Sequence, residues 1–455
     1  MPQRIQVEQL VDEQRIDRFN FNLLLWSFLA MFCDGYDISA LSYAAPELVR
    51  LWGLEAEAMK WPLSASPFGI LFGAPLLGWF GDRFGRKRAI VLGCVIYGLC
   101  TLAIVWAENL QQIFLLRFLT GIGIGGLMPN TIALNSELSP KRWRATLTVL
   151  MFTGITLGSA SPGAIATTLA PAFGWQSYFV IGGVVPLLIA AALVLFLPES
   201  VKFLAQHPGR RRELLATARR MRADLAIADD AEFTLAPAPR HGGLGLRDAF
   251  SGGLALITPL LWLCFCSALM VNFFLGSWMP ILFESIGLAG EKAALITSIY
   301  HIGGAVGGVL ISFLLDRFGF LVIFVLFLLG IPAVAVLGAA DYSWLALSAI
   351  ATMAGVAVLG AQFGNNAAAG LLYPTAFRSK AVGFAFAVGR LGAVTGPLIG
   401  GVLIGMKLPI GELFMIGAIP LVIGAIAAAI LARLCYRRFR GFQIDDAPAA
   451  RDVRI

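Results

Sequence analysis

The chain has 455 residues, of which 58% are hydrophobic and 13% are charged. Soluble domains carry about 25% charged residues, so this composition excludes an ordinary soluble globular protein. The formal net charge of +7 accompanies long apolar stretches, so we interpret it as a signal of membrane topology and expect no nucleic-acid partner.

Apolar stretches long enough to cross a bilayer, about 20 residues each, recur along nearly the whole chain. They predict an all-α polytopic membrane protein with twelve transmembrane helices. The predicted spans are 21–43, 61–81, 89–106, 110–134, 146–170, 176–197, 256–284, 293–315, 320–338, 342–372, 380–404 and 410–434.

The distribution of positive charge predicts the orientation of these spans. Most of the 34 Lys and Arg residues fall on the side that holds both termini, so that side is expected to be cytoplasmic. The first twenty residues lack the pattern of a cleavable signal peptide. The six cysteines lie in or beside spans, which argues against a secreted disulfide framework. We therefore expect a multi-pass protein of the plasma membrane with both termini cytoplasmic.

The first span contains two carboxylates, Asp34 and Asp37, around the aromatic residue Tyr36. A carboxylate near the middle of a membrane helix costs about 2.5–3.5 kcal/mol. Residues three apart share one helix face, so both acids are expected to point the same way. Such a pair predicts a proton or ion site that lines a polar pathway.

The loop after the second span contains Gly78, Asp82, Arg83, Gly85 and Arg86 in the pattern Gly-x-x-x-Asp-Arg-x-Gly-Arg-Lys. This pattern resembles the signature loop of the major facilitator superfamily. The small residue Gly78 is expected to allow close helix contact. Asp82 is expected to cap a neighbouring helix or to pair with an arginine across the cytoplasmic gate, which would hold one access state. Alternatively, the basic residues only fix the orientation of the chain.

The fourth span carries Arg117, followed by a run of glycines. A guanidinium stays charged in proteins, so at this depth it needs an anionic partner or ligand. Asp34 and Asp37 are the carboxylates at similar depth, and we predict an ion pair with one of them. The alternative is that Arg117 extends its head group towards the outer surface.

The second half of the chain contains further polar residues inside predicted spans, namely His301, Asn365 and Arg390. Arg390 has no evident acidic neighbour in the sequence, so it is the preferred candidate to bind a substrate carboxylate. His301 titrates near physiological pH in water, and Asn365 offers neutral hydrogen-bonding groups. Each alternatively serves only helix packing.

An internal repeat divides the chain. A shift of 234 residues aligns Asp82-Arg83-Phe84-Gly85 with Asp316-Arg317-Phe318-Gly319, and Arg144 with Arg378. The repeat predicts two six-helix bundles, 1–197 and 253–455, joined by a polar segment, 198–252. We expect this segment to be a solvated linker, or to carry an amphipathic helix near 210–225 at the inner surface. Two repeated halves indicate a transporter of the alternating-access type.

The run Asp34-Gly-Tyr-Asp37 followed by Ala45-Pro46-Glu47-Leu48 resembles the first-helix signature of the aromatic acid:proton symporter family, within the major facilitator superfamily. The resemblance implies uptake of benzoate, hydroxybenzoates, protocatechuate or related acids with protons, and a role for both aspartates in transport. The narrower match also includes the charged residues Arg117, Glu137, Arg378 and Arg390. Glu137 is accordingly grouped with the proton-coupling residues, and Tyr36 with the substrate contacts.

The predicted function is therefore proton-coupled import of an aromatic carboxylate by a monomer in the lipid bilayer, without a cofactor other than the coupling proton. The alternatives are a transporter of a sugar or nicotinate-like acid, a drug:proton antiporter, and a non-transporting sensor. A sensor is expected to carry a signalling domain, for which the segment 198–252 is too short. No nucleophile–base set, metal cluster or phosphate loop indicates an enzyme.

Overall fold

A computed structural model of the chain describes residues 3–235, 250, 254–339, 343–373 and 378–439. Helices α1–α12 are Val7–Asp12, Arg18–Trp52, Lys60–Phe84, Arg86–Ala103, Leu110–Gly125, Leu127–Leu138, Lys141–Ala160, Pro162–Thr168, Ala170–Phe173, Gln176–Phe196, Val201–Ala205 and Arg211–Met221. Helices α13–α19 are Ile257–Ser285, Gly290–Phe318, Phe320–Ala335, Trp344–Leu372, Arg378–Gly405, Ile410–Gly417 and Ile419–Phe439. The strands are β1 (Arg4–Gln6) and β2 (Glu232–Thr234), and short 3₁₀ helices occupy Ala56–Met59, Ile104–Trp106, Pro208–Arg210 and Val336–Gly338.

Among the described residues, twelve segments are long and apolar enough to cross a membrane, which confirms the predicted all-α, multi-pass fold. The first is longer than predicted, since α2 spans Arg18–Trp52. Three predicted spans are interrupted: the fourth at Gly126, the fifth at Ser161 and the twelfth at Ala418. The break in the fifth span comes directly before Pro162, which has no backbone N–H to continue the helix.

The internal repeat reappears as matched helix contacts. A Cβ atom on Gly69 would lie 2.1 Å from the carbonyl oxygen of Phe118, and one on Gly303 would lie 2.5 Å from that of Thr352. These two contacts differ by 234 residues at both ends, as the sequence alignment predicts. Glycine is required at both positions because the helix backbones approach too closely for a side chain.

By contact density the described chain forms two compact units that differ from the two sequence halves. The first unit comprises 1–38, 68–158 and 179–240, and the second comprises 39–67, 159–178 and 241–455. The predicted division into bundles 1–197 and 253–455 stays a prediction.

In the second unit, the hydroxyl of Ser298 joins segments from both sequence halves. The Ser298 hydroxyl, on α14, donates to the carbonyl of Ala160 at 2.7 Å, and the Tyr43 hydroxyl lies 3.0 Å from Ser298 Oγ. Ala160 is the last residue of α7, at the interruption before Pro162. The break therefore leaves a carbonyl that a neighbouring helix uses.

The polar segment after the sixth span is folded as far as residue 235, so its interpretation as a solvated linker is wrong there. Strands β1 and β2 pair in parallel, which joins the N-terminal segment to this region. Helix α12 confirms the predicted amphipathic helix, and it buries Leu214, Ala218 and Met221 in a core that includes Leu10 of α1. The apolar face is thus covered by protein, because the first residues of the chain supply a matching apolar surface.

Candidate functional site

A buried ion pair lies within the first unit. Helix α2 positions Asp37 and helix α5 positions Arg117, and Arg117 Nη1 is 2.6 Å from Asp37 Oδ2. The side chain of Asp37 is 0% exposed and that of Arg117 is 1% exposed. The predicted pairing of Arg117 with a first-span aspartate is confirmed, and the alternative, an arginine extending to the surface, is wrong. A fully buried pair of this kind is stable only while both partners are present.

A third helix completes the polar cluster. The Thr101 hydroxyl, on α4, donates to Asp37 Oδ1 at 2.8 Å and lies 3.4 Å from the Thr120 hydroxyl. Arg117 Nε is buried and has no hydrogen-bond partner among the described residues. The cluster therefore keeps one charged donor for an additional acceptor. Sequence analysis missed Thr101 because a lone threonine is unremarkable in an apolar span.

The neighbouring residues of α2 are also buried. Asp34 is 2% exposed and Tyr36 is 6% exposed, and both make interactions within the structure. The ring of Tyr36 packs against Gly182 of α10, where a Cβ atom would lie 2.7 Å from the Tyr36 ring. Gly182 thus makes room for the aromatic side chain beside the acidic pair.

Glu137 lies apart from the buried pair. It follows Arg117 by 20 residues along α5 and α6, which corresponds to about 30 Å of helix. Its carboxylate is 3.6 Å from Arg86 Nη2 and accepts a hydrogen bond from the Ser200 hydroxyl. The grouping of Glu137 with the proton-coupling residues thus has no support in this placement, which joins it to the loop after the second span.

That loop is organised around Arg86, which also pairs with Asp82. This partner is four residues away in the same loop, so the predicted pairing of Asp82 across the cytoplasmic gate stays a prediction. Arg83 instead lies over the rings of Trp79 and Phe84, with its guanidinium carbon 6.0 Å and 5.9 Å from their centroids. Such stacking suits a guanidinium at an exposed surface.

The two loop glycines, Gly78 and Gly85, differ in backbone conformation and in the space around them. Gly85 has φ +113°, a conformation that disfavours other residues, and its Cβ would lie 2.1 Å from Glu199 Oε2. In contrast, no described atom lies within 4 Å of a Cβ on Gly78, so the expected close helix contact at Gly78 is not found in the described part of the chain.

Glu199 follows the sixth span and belongs to the same region. Its Oε1 accepts from the backbone N–H groups of Lys87 and Ser200, at 3.2 Å and 3.0 Å. Burial raises the pKa of the Glu199 carboxyl above its usual range, and the two backbone hydrogen bonds partly oppose this shift. Its second oxygen, Oε2, has no hydrogen-bond partner among the described residues.

The second unit contains buried polar atoms that lack partners within the described residues. They include Nε2 of His301, Oε1 of Gln362 and both side-chain amide atoms of Asn365. Asn365 is 0% exposed, so leaving it without hydrogen bonds is costly. These atoms are therefore candidates for contacts with a polar ligand.

Arg390 is half-buried on α17 and makes interactions within the structure. Its predicted contact with a substrate carboxylate stays a prediction. Arg317 lies over the ring of Phe318, 5.4 Å from its centroid. The side chains of Asp316 and Arg378 lie outside the described part of the structure, so their predicted gate roles stay predictions.

Comparisons with known proteins give the chain its family. The model of the Major Facilitator Superfamily matches residues 27–330 and 261–445. The chain is 35% identical to the 4-hydroxybenzoate transporter PcaK of Pseudomonas putida, over 88% of this chain and 90% of that protein. It is 34% identical to a gallate transporter of the same organism, over 94% and 95%.

Solved structures of other transporters share the fold. The xylose transporter XylE from E. coli, in an inward open conformation, aligns with a TM-score of 0.69 at 17% identity, over 95% of this chain and 100% of that one. The twelve spans, the repeat and these matches define a multi-pass membrane transporter and not an enzyme. The chain belongs to the major facilitator superfamily and, within it, to the aromatic acid:proton symporter family.

Proposed function

We propose that this protein is a monomeric symporter that imports an aromatic carboxylate with a proton across the bacterial inner membrane, by alternating access and with both termini cytoplasmic. The similarity to the PcaK and gallate transporters supports the substrate class. The single observation that carries the coupling mechanism is the buried Asp37–Arg117 ion pair.

The pair links proton binding to anion binding. Protonation of Asp37 removes the charge that compensates Arg117, and an uncompensated buried guanidinium is strongly unfavourable. A substrate carboxylate that reaches Arg117 restores the compensation, and Nε offers it an unused donor. Proton and anion therefore favour each other's binding, and symport requires that linkage. Asp34, one helical turn away and also buried, would share the proton.

The second unit offers further candidates for substrate contacts. The unpartnered atoms of His301 and Asn365 suit hydroxyl groups on an aromatic ring, and Arg390 carries a positive charge that suits a carboxylate. A site built to hydrogen-bond a hydroxyl rejects analogues that lack it. Tyr36 would contribute an aromatic surface beside the acids.

One-to-one symport has an energetic advantage. A negative-inside potential opposes entry of a monoanion by about 2.3 kcal/mol per 100 mV. Co-transport of one proton cancels this charge, and each unit of inward pH gradient then contributes about 1.4 kcal/mol. In this proposal, access to the site would be controlled at the loop after the second span, where Arg86 holds Asp82 and Glu137.

The test is reconstitution of the purified protein in liposomes with a trapped pH-sensitive dye. Addition of 4-hydroxybenzoate outside is expected to acidify the interior and to drive labelled substrate inward with the same time course. Uptake without acidification, in vesicles whose ion leak is controlled with an ionophore, would contradict proton symport.

Competition separates the substrate classes. Benzoate and gallate are expected to inhibit uptake of labelled 4-hydroxybenzoate, whereas nicotinate, xylose and a quaternary ammonium compound are not. Inhibition by the quaternary ammonium alone would indicate a drug:proton antiporter instead.

A further inference from the structure

A groove on the first unit, separate from the ion pair, combines charged and apolar walls. Its volume is about 410 Å³, and its charged lining consists of Lys87, Arg88, Glu199, Arg210 and Glu213. The apolar lining consists of Val91, Leu92, Val95 and Val194. The groove thus lies where two apolar spans, α4 and α10, meet the polar segment that follows α10.

The charged end of the groove is incompletely paired. Arg210 binds Glu213 through Nε and Nη2, at 2.9 Å and 2.7 Å, but its Nη1 is buried without a hydrogen-bond partner among the described residues. Glu199 is 1% exposed, and its Oε2 lacks a partner in the same sense. A ligand that satisfies this end must bring both an acceptor and a donor.

Electrostatics selects an anion. The Arg210–Glu213 pair is internally neutral, so Lys87 and Arg88 together outweigh the charge of Glu199. Arg220 adds another positive charge within electrostatic range of Lys87. A phosphate group matches this arrangement, since guanidinium and ammonium groups are the usual phosphate ligands.

We propose that this groove binds an anionic glycerophospholipid. Its phosphate contacts Lys87, Arg88 and Arg210 Nη1, a hydroxyl of its headgroup donates to Glu199 Oε2, and an acyl chain lies along Val91, Val95 and Val194. The apolar wall on membrane-spanning helices favours a lipid over a soluble phosphate, because only a lipid covers both ends of the groove. Basic pockets beside membrane helices bind anionic headgroups in this way.

The bound lipid would act indirectly on the loop after the second span. Glu199 Oε1 accepts from the backbone of Lys87, and the next residue, Ser200, donates to Glu137, which contacts Arg86. Occupation of the groove therefore stabilises the segment that holds this network together.

The experiment measures lipid binding to the full-length protein in detergent, by native mass spectrometry and by the thermal shift on addition of phosphatidylglycerol. Lys87→Gln/Arg88→Gln is expected to weaken phosphatidylglycerol binding by about fivefold per charge removed. Leu92→Trp narrows the apolar end of the groove without changing its charge, and this variant is also expected to bind phosphatidylglycerol more weakly. Arg212→Gln, which removes a charge from an exposed position on α12 outside the groove, is the matched control and should bind normally.

Phosphatidylcholine, phosphatidylethanolamine and free glycerol phosphate test the source and charge of the ligand. The proposal requires that none of them reproduces the effect of phosphatidylglycerol. It is overturned if glycerol phosphate alone gives the full thermal shift, if phosphatidylethanolamine binds equally well, or if the double variant and Arg212→Gln lose binding to the same extent.

Discussion

Replacement of Asp37 by Asn tests the role of the buried ion pair most directly. The substitution keeps the size of the side chain and an oxygen that accepts from Thr101, whose hydroxyl lies 2.8 Å from Asp37 Oδ1. It removes the charge that compensates Arg117, which is 1% exposed and 2.6 Å away, and it replaces the accepting Oδ2 atom by an amide group that only donates. Breaking a buried pair in this one-sided way costs about 3–5 kcal/mol.

We therefore expect Asp37→Asn to lower the thermal unfolding temperature in detergent. Removal of both charges, in Asp37→Asn/Arg117→Gln, should restore much of the lost stability because no uncompensated charge remains. Neither variant should couple transport to protons. Asp230→Asn removes an exposed carboxylate from the polar segment and is the control for loss of one negative charge.

Transport gives the second measurement. In liposomes without a membrane potential, one-to-one symport driven by an inward gradient of one pH unit accumulates substrate about tenfold at equilibrium. Asp37→Asn is expected to reach only the external concentration, while Asp230→Asn reaches the wild-type ratio. Tenfold accumulation by Asp37→Asn would refute the coupling mechanism, and normal stability of that variant would refute the energetic argument.

Three further predictions test the packing and the electrostatics. Gly85→Ala should destabilise the protein by at least about 1 kcal/mol, since φ is +113° and the new Cβ meets Glu199 Oε2 at 2.1 Å. Gly78→Ala lies inside α3 with no described atom within 4 Å of the new Cβ, so it should not lower the unfolding temperature. An equal loss in both variants would contradict this reasoning. Gly163→Ala should lower the unfolding temperature because its Cβ would lie 1.9 Å from Ser298 Oγ. Adding Ser298→Ala to this variant should recover part of the loss. If stability does not recover, the steric strain lies elsewhere. Burial raises the pKa of Glu199, so this residue keeps its proton in the folded chain at pH values where the unfolded chain has lost it. Its contribution to stability therefore declines as the pH rises above the usual glutamate pKa of 4.5. Glu199→Gln should make the unfolding temperature less dependent on pH in that interval, and an unchanged pH profile would refute the raised pKa.

Several local features could be predicted because each depends on a single segment. Transfer of a helix into lipid depends on that segment's own hydropathy, so the twelve spans were evident from the sequence. The 234-residue repeat was evident for a similar reason, and contacts such as Gly69 with Phe118 and Gly303 with Thr352 give it a structural basis. The amphipathic helix α12 was also predicted, but the partner of its apolar face was not, because that partner is the distant N-terminal segment.

The candidate site required the tertiary structure. The sequence by itself determined that Arg117 needs an anion and that Asp34 and Asp37 stand at similar depth. Only the packing of α2, α4 and α5 decided that Asp37 is the partner, 80 residues away, and that Thr101 joins it. The packing also placed Glu137 beside Arg86 and showed that Arg390 has interactions. Hydropathy fixes how deep a residue lies in the membrane, whereas the rotation of each helix about its axis fixes what its side chain meets, and that rotation is set by the neighbouring helices.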